Sequence, residues 1–71
     1  MADIEMLKKK MEESGMTFSS IASKAGMVRE TLYNRINGRG EFTASEIVGL
    51  TSALKLTVSE RNLIFLNEKL H

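Results

Sequence analysis

The chain has 71 residues, a formal net charge of +1, one histidine, and neither cysteine nor proline. Because a chain of this length buries only about 60% of the surface that its unfolded form exposes, we expect one domain over residues 1–71 and no large catalytic cleft. The lack of cysteine excludes disulfides and thiolate metal sites, so stability must come from packed helices or from self-association.

Three helices are predicted in the first half of the chain. The first covers about residues 3–13, the second begins after Thr17 and ends at Gly26, and the third runs from near Val28 to Asn37. Thr17 is a good N-cap residue, and Gly26 readily adopts the left-handed backbone that ends a helix. Apolar residues three or four apart mark the inward faces: Ile4, Leu7 and Met11, then Ile21, Ala22 and Ala25, then Leu32 and Ile36.

Two further helices are predicted in the second half, and the same signature opens each. Residues 43–46 and 57–60 read as capping boxes, in which a Thr hydroxyl and a Glu carboxylate satisfy each other's exposed amides. The fourth helix continues to about Lys55 and the fifth to about Lys69. The inward stripe of the fourth is Ile47, Leu50 and Leu54. No strand is indicated, so we expect an all-helical unit of five helices joined by short turns.

Two features bear on where the protein resides. The longest apolar run, residues 63–66, is far below the roughly 18 residues that span a bilayer. Asp3 and Glu5 interrupt the amino-terminal region, where a signal peptide needs a basic and then an apolar stretch. We therefore expect a cytoplasmic protein.

Residues 17–40 carry an excess of basic charge, which matters because nucleic-acid binding depends on local rather than global charge. The only acid there is Glu30, and the basic residues are Lys24, Arg29, Arg35 and Arg39. Arg35 is equally suited to contact a phosphate or to pair with Glu30 or Glu41, so its role stays open at this point.

Nothing in the sequence indicates catalysis. The one histidine is His71 at the terminus, and no serine has a histidine nearby to activate it. No pair of carboxylates lies in an apolar stretch that would raise a pKa. We expect no enzymatic activity, no cofactor and no metal site.

Residues 17–37 have the features of two helices that cross over a short turn. Ala22 must be small where the second of these helices crosses the first, and Gly26, four residues later, tolerates the turn. Leu32 and Ile36 form an apolar pair four residues apart in the next helix. Together with Ile21 these residues predict that the pair packs onto helices one and four.

With the trailing Asn37, Gly38 and Arg39, this arrangement resembles the helix-turn-helix proteins of the Cro and phage-repressor family, from Leu7 to about Leu66. The chain looks most similar to small early regulators of temperate phages of Gram-positive bacteria, a group of Cro-like proteins and modulators of repression. The resemblance implies a compact five-helix, repressor/Cro-like domain with its helix-turn-helix at helices two and three. It also implies a role in the lysis-lysogeny switch, in the cytoplasm of a bacterial host.

In that family the third helix enters the major groove and its outward residues meet base edges. Carried onto this sequence, the resemblance implies that the groove-facing positions are Val28, Arg29, Glu30, Tyr33 and Asn34. It places near phosphates the flanking residues Thr17, Phe18, Asn37 and Arg39. Arg29 is suited to guanine, Asn34 to adenine and Val28 to a thymine methyl group.

Three of these residues depart from what such a DNA-reading surface needs. Phe18 stands where relatives often bond a phosphate, Val28 stands where a Ser or Thr usually caps the helix, and the acidic Glu30 repels phosphates. Aromatic residues and arginine are enriched in protein interfaces, so this surface suits a protein partner as well as DNA.

Two functions are therefore expected. In the first, the protein modulates repression by binding another helix-turn-helix repressor, as antirepressor or co-repressor, with or without contact to DNA. In the alternative, it is a Cro-like repressor that binds double-stranded operator DNA by itself.

The fifth helix carries more apolar residues than one inward face can hold. At 3.6 residues per turn, not all of its apolar side chains can point to the core. The residues in question are Leu63, Ile64, Phe65, Leu66 and Leu70. They form either a broad buried helix or a self-association surface of a homodimer.

Overall fold

Residues 2–66, the part of the chain that the computed structural model describes, form five helices and no strand. The helices are α1 (Ile4–Glu13), α2 (Phe18–Ala25), α3 (Arg29–Ile36), α4 (Ala44–Ala53) and α5 (Val58–Phe65). The prediction of five helices is confirmed. α5 ends at Phe65, and its predicted end at about Lys69 lies outside the described residues. None of the five is long and apolar enough to cross a membrane.

Side-chain caps fix where four of the five helices begin. In each case an oxygen of the N-cap side chain accepts a hydrogen bond from the backbone N–H three residues later, at 3.0–3.2 Å. The capping residues are Asp3, Thr17, Thr43 and Thr57. Glu46 and Glu60 complete the two predicted capping boxes by accepting the N–H of Thr43 and Thr57, both at 2.9 Å.

The core lies where the five helices meet, and each helix contributes one fully buried large side chain. These five are Leu7, Ile21, Leu32, Leu50 and Ile64. Phe42, from the segment before α4, closes one end of the core with its ring 5.2 Å from that of Phe65 in an edge-to-face arrangement. Among residues 2–66 no polar or charged residue is buried, so packing rather than a polar network holds the helices together.

α4 packs tightly against α2 at Gly49. A Cβ atom on Gly49 would overlap the carbonyl oxygen of Ala25 and lie 2.9 Å from its carbonyl carbon. Gly49 has helical backbone angles, so the glycine is required by this close approach and not by its conformation. Glycine inside a helix is about 1 kcal/mol less favourable than alanine, a cost that the packing of α2 on α4 must offset.

Replacing Gly49 with Ala is expected to destabilise the fold although alanine is the better helix former. The new methyl group meets backbone, which must shift, and overpacking of this kind costs about 1–3 kcal/mol. Urea unfolding followed by circular dichroism measures the change. Ser52→Ala, at an exposed position of the same helix, is the control and is expected to be neutral or slightly stabilising. A Gly49→Ala variant as stable as the Ser52→Ala variant would contradict the close contact.

The glutamates of both capping boxes also bind a cation from another helix. The Nε and Nη2 atoms of Arg35 in α3 donate to the two carboxylate oxygens of Glu46 at 3.0 and 3.3 Å. The Nζ atom of Lys10 in α1 lies 2.6 Å from Oε2 of Glu60. Each carboxylate therefore caps its own helix and joins that helix to another.

These contacts change the ionisation of both carboxyl groups. Partial burial alone raises the pKa of Glu46, but the backbone N–H of Thr43 and the Arg35 guanidinium outweigh it and bring the pKa below its ordinary value of 4.5. The Lys10 ammonium, and then the Thr57 N–H, lower the pKa of Glu60. A carboxylate whose pKa is lowered on folding stabilises the folded state above its ordinary pKa and loses that contribution as the pH falls.

The protein is accordingly expected to lose stability as the pH falls below about 4.5, and Glu46→Gln is expected to reduce that loss. Glutamine keeps an oxygen for the Thr43 N–H but loses the charge, at a cost of about 1 kcal/mol at pH 6 for this partly exposed pair. Urea midpoints at pH 6 and pH 3 measure both effects. Glu41→Gln, at an exposed loop position, is the control; an equal pH dependence in all three proteins would contradict the assignment.

Candidate recognition surface

The turn between α2 and α3 sets the direction of α3. It consists of residues 26–28, and Gly26 adopts a left-handed conformation with φ of +73°. The backbone N–H of Met27 donates to the carbonyl of Ala22 at 2.8 Å, which closes the end of α2. Leu32 is fully buried and Ile36 half-buried, so the opposite side of α3 faces outward.

The nine residues that the sequence singled out for binding lie on α3, near its two ends and at the start of α2, and we call the surface that they form the α3 face. Its members are Thr17, Phe18, Val28, Arg29, Glu30, Tyr33, Asn34, Asn37 and Arg39. Four of them line one open pocket between α2 and α3: Phe18, Arg29, Glu30 and Tyr33. Val28 is 69% exposed and Tyr33 is 55% exposed.

Arg29 lies over the ring of Phe18. Its guanidinium carbon is 5.8 Å from the ring centroid, within the range of a cation–π contact. Phe18 is half-buried against the core, which fixes the ring that supports the arginine. Phe18 therefore orients a neighbouring cation.

A second arginine is held at the other end of α3. The Arg39 guanidinium carbon lies 6.0 Å from the centroid of Tyr33, and its Nη1 donates to Oδ1 of Asn34 at 3.1 Å. Reading adenine requires the same Asn34 oxygen as an acceptor. Asn34 can therefore bind adenine only if its Oδ1 accepts a second hydrogen bond or if Arg39 gives up its own.

The side chains of Thr17 and Asn37 bind within their own helices. The Thr17 hydroxyl accepts the N–H of Ser20 at 3.1 Å, and the Asn37 side-chain amide donates to the Tyr33 carbonyl at 2.8 Å. Both residues belong to the α3 face, but these side-chain atoms cap the start of α2 and the end of α3.

The partner of Arg35 is neither of the two acids considered from the sequence. Arg35 pairs with Glu46, not with Glu30 or Glu41, because the start of α4 comes back against α3. Its Nη1 also donates to the carbonyl oxygen of Arg39 at 3.3 Å. The capping-box pattern predicts the first role of Glu46, and its second role depends on a residue of α3 eleven positions away.

This pairing changes the charge that the α3 face presents. With Arg35 neutralised by Glu46, the face carries Arg29 and Arg39 against Glu30, a single net positive charge. Lys24 borders a different pocket, near the ends of α2 and α4, together with Lys55. The basic excess of residues 17–40 is therefore only partly available at the α3 face.

The apolar residues grouped as a self-association surface are divided by the structure. Ile64 and Phe65 are buried, so they belong to the core and are not accessible to a second copy. Leu63 and Leu66 are each 55% exposed. Leu70 lies outside the described residues. The expectation that not all of these side chains face inward agrees with the exposure of Leu63 and Leu66.

Among residues 2–66 no three potential metal-binding side chains lie close enough together to hold an ion. Comparison with protein-family models, curated proteins and solved structures gave no match. The function of the α3 face must therefore be inferred from its own geometry and charge.

Val28 precedes α3 without capping it, since its side chain offers no hydrogen-bond acceptor to the first turn. Val28→Ser is expected to stabilise the fold by about 1 kcal/mol, because serine caps the free N–H groups. In a domain of this size that raises the melting temperature by about 4–8 °C. Val48→Ser, equally exposed but inside α4, is the control, and no gain is expected there. Equal melting temperatures for the two variants would contradict the uncapped start of α3.

Proposed function

We propose that the chain is a repressor- and Cro-like helix-turn-helix protein that modulates repression by binding a partner repressor through its α3 face. The helix-turn-helix consists of α2, the turn at residues 26–28 and α3. Three features support this assignment: the left-handed Gly26, the buried and small Ala22, and the inward placement of Leu32. These residues are among those on which the resemblance to this family rests.

The observation that carries the proposal is the exposed apolar and aromatic surface at Val28 and Tyr33. Tyr33 and Phe18 are the aromatic residues that line the pocket, and Val28 is the N-cap residue of α3, directly before Arg29. Interfaces between proteins are enriched in aromatic residues and arginine. In the isolated protein these apolar side chains are in contact with water, which is unfavourable. A protein partner with apolar side chains removes them from water and so stabilises the complex, whereas a charged phosphate backbone cannot.

The charge of the α3 face also favours a protein partner. Binding to duplex DNA draws affinity from several phosphate contacts, each made by a cation or a hydrogen-bond donor. The face offers only two arginines, and Glu30 lies at the same pocket as Arg29. By covering the partner's DNA-contacting surface, or by binding beside it, the protein then weakens or strengthens repression in the lysis-lysogeny switch of a temperate phage.

A specific arrangement favours the second candidate, a Cro-like repressor that binds operator DNA alone. Arg29 and Asn34 both lie on the outward side of α3, where a helix in the major groove contacts guanine and adenine. Under this alternative, Arg39 binds a phosphate next to the groove.

Gel-shift assays on the promoter DNA next to the gene, with and without the repressor encoded beside it, test the proposal. We expect that the protein alone does not give the DNA shift, steeply dependent on salt, that is typical of a DNA-binding protein. We expect that adding it to the repressor changes the amount of DNA that the repressor shifts. Val28→Ser and Tyr33→Ala are expected to weaken that effect about tenfold or more, since central aromatic and apolar interface residues contribute most.

Val48→Ser and Val58→Ser are the matched controls, because both residues are nearly as exposed as Val28 but belong to α4 and α5. They are expected to leave the effect on the repressor unchanged. A salt-dependent shift by the protein alone, with base preference relaxed by Arg29→Ala or Asn34→Ala, would instead establish the DNA-binding alternative.

A further inference from the structure

The two arginines of the α3 face share one arrangement. Each guanidinium lies over an aromatic ring, Arg29 over Phe18 and Arg39 over Tyr33. Within residues 2–66 neither arginine lies within 4.0 Å of a carboxylate oxygen, whereas Arg35 and Lys10 both do. The two cations that join helices, Arg35 and Lys10, are thus distinct from the two arginines that remain available at the α3 face.

We propose that the α3 face binds an acidic segment of the partner, in which one apolar side chain enters the pocket of Phe18 and Tyr33 and carboxylates pair with Arg29 and Arg39. This inference rests on the proposed function, since it specifies the chemistry of the partner at the same surface. The partner segment then has one apolar side chain and nearby carboxylates at its point of contact.

The pocket defines the apolar part of this pattern. Two of its four lining residues, Phe18 and Tyr33, are aromatic, and the other two are the oppositely charged Arg29 and Glu30. Pockets lined by aromatic side chains with a few placed polar groups accept apolar groups and orient them through the polar ones. A leucine, methionine or phenylalanine of the partner meets these requirements.

The arginines define the acidic part. A guanidinium stacked on a ring keeps the N–H groups at its edge free, and these form paired hydrogen bonds with a carboxylate. Arg29 donates no hydrogen bond among the described residues, and Arg39 uses one N–H for Asn34. Because the rings hold both side chains in place, less conformational entropy is lost when a partner binds.

Glu30 determines where the carboxylates of the partner cannot lie. It shares the pocket with Arg29, so a carboxylate displaced toward Glu30 is repelled while one opposite Arg29 is attracted. The same residue disfavours a phosphate backbone, which carries charge at regular intervals. The observations therefore favour an acidic protein segment with a defined spacing over a nucleic acid.

Titration of the ¹⁵N-labelled protein with a short alanine-based helical peptide tests this pattern. The peptide carries one leucine with a glutamate one turn before it and one turn after it, on the same face. We expect NMR shift changes confined to the amides of Phe18, Arg29, Tyr33 and Arg39. Peptides with alanine in place of the leucine, or lysine in place of both glutamates, are expected to bind about tenfold more weakly or not at all.

Two neighbouring variants are expected to act in opposite directions. Arg29→Gln weakens binding of the acidic peptide, whereas Glu30→Gln strengthens it, because the first removes an attraction and the second a repulsion. Arg61→Gln, on α5, changes the net charge equally and is expected to leave binding unchanged. An equal loss in the Arg29 and Arg61 variants, or shift changes centred on α5, would overturn the proposal.

The outcomes separate this inference from the proposed function. If the effect on the repressor depends on Val28 and Tyr33 but the acidic peptide does not bind the α3 face, the acidic pattern is wrong and partner binding stands. If a promoter duplex shifts the same amides, the peptide does not, and the protein leaves the gel shift of the repressor unchanged, both are wrong. Peptide binding at the four amides with the opposite effects of Arg29→Gln and Glu30→Gln supports both.

Discussion

The contact of Gly49 with the carbonyl of Ala25 fixes the relation of α2 to the rest of the fold. Since α4 has no side chain there, α2 packs directly on the backbone of α4. Ala25 immediately precedes the left-handed Gly26, so the residue held by α4 is also the one at which the turn to α3 starts. The position of the α3 face therefore depends on the glycine at position 49 of α4, which has no side chain to hold α2 at a distance.

Four of the cations fall into two pairs, and the group beside each cation decides to which pair it belongs. Arg35 and Lys10 pair with the carboxylates that cap α4 and α5, so their charges are neutralised in contacts that join helices. Arg29 and Arg39 meet aromatic rings, which orient a guanidinium without neutralising it. Counting basic residues along the sequence does not separate these two groups, although only the second is available to a partner.

Local patterns predicted the helices well because the determinants of a helix end lie within a few residues of it. Thr17, Thr43 and Thr57 cap helices as predicted, and the inward residues Leu7, Ile21 and Leu50 are buried. Three other features depend on contacts between distant segments or on the path of a loop. They are the close approach at Gly49, the pairing of Arg35 with Glu46 and the contact of Arg39 with α3. Neither propensity nor periodicity contains that information. The burial of Ile64 and Phe65 beside the exposed Leu63 likewise required the orientation of α5.

The double role of Glu46 couples two regions that local structure treats as separate. Fraying of the first turn of α4 releases the Thr43 N–H and the Arg35 guanidinium together, and Arg35 is the donor to the carbonyl of Arg39. Opening at this helix end thus removes the carboxylate that holds the Arg35 guanidinium in position to donate to the carbonyl of Arg39. By thermodynamic reciprocity, a ligand that immobilises Arg39 slows hydrogen exchange of the amides at the start of α4, which it never touches.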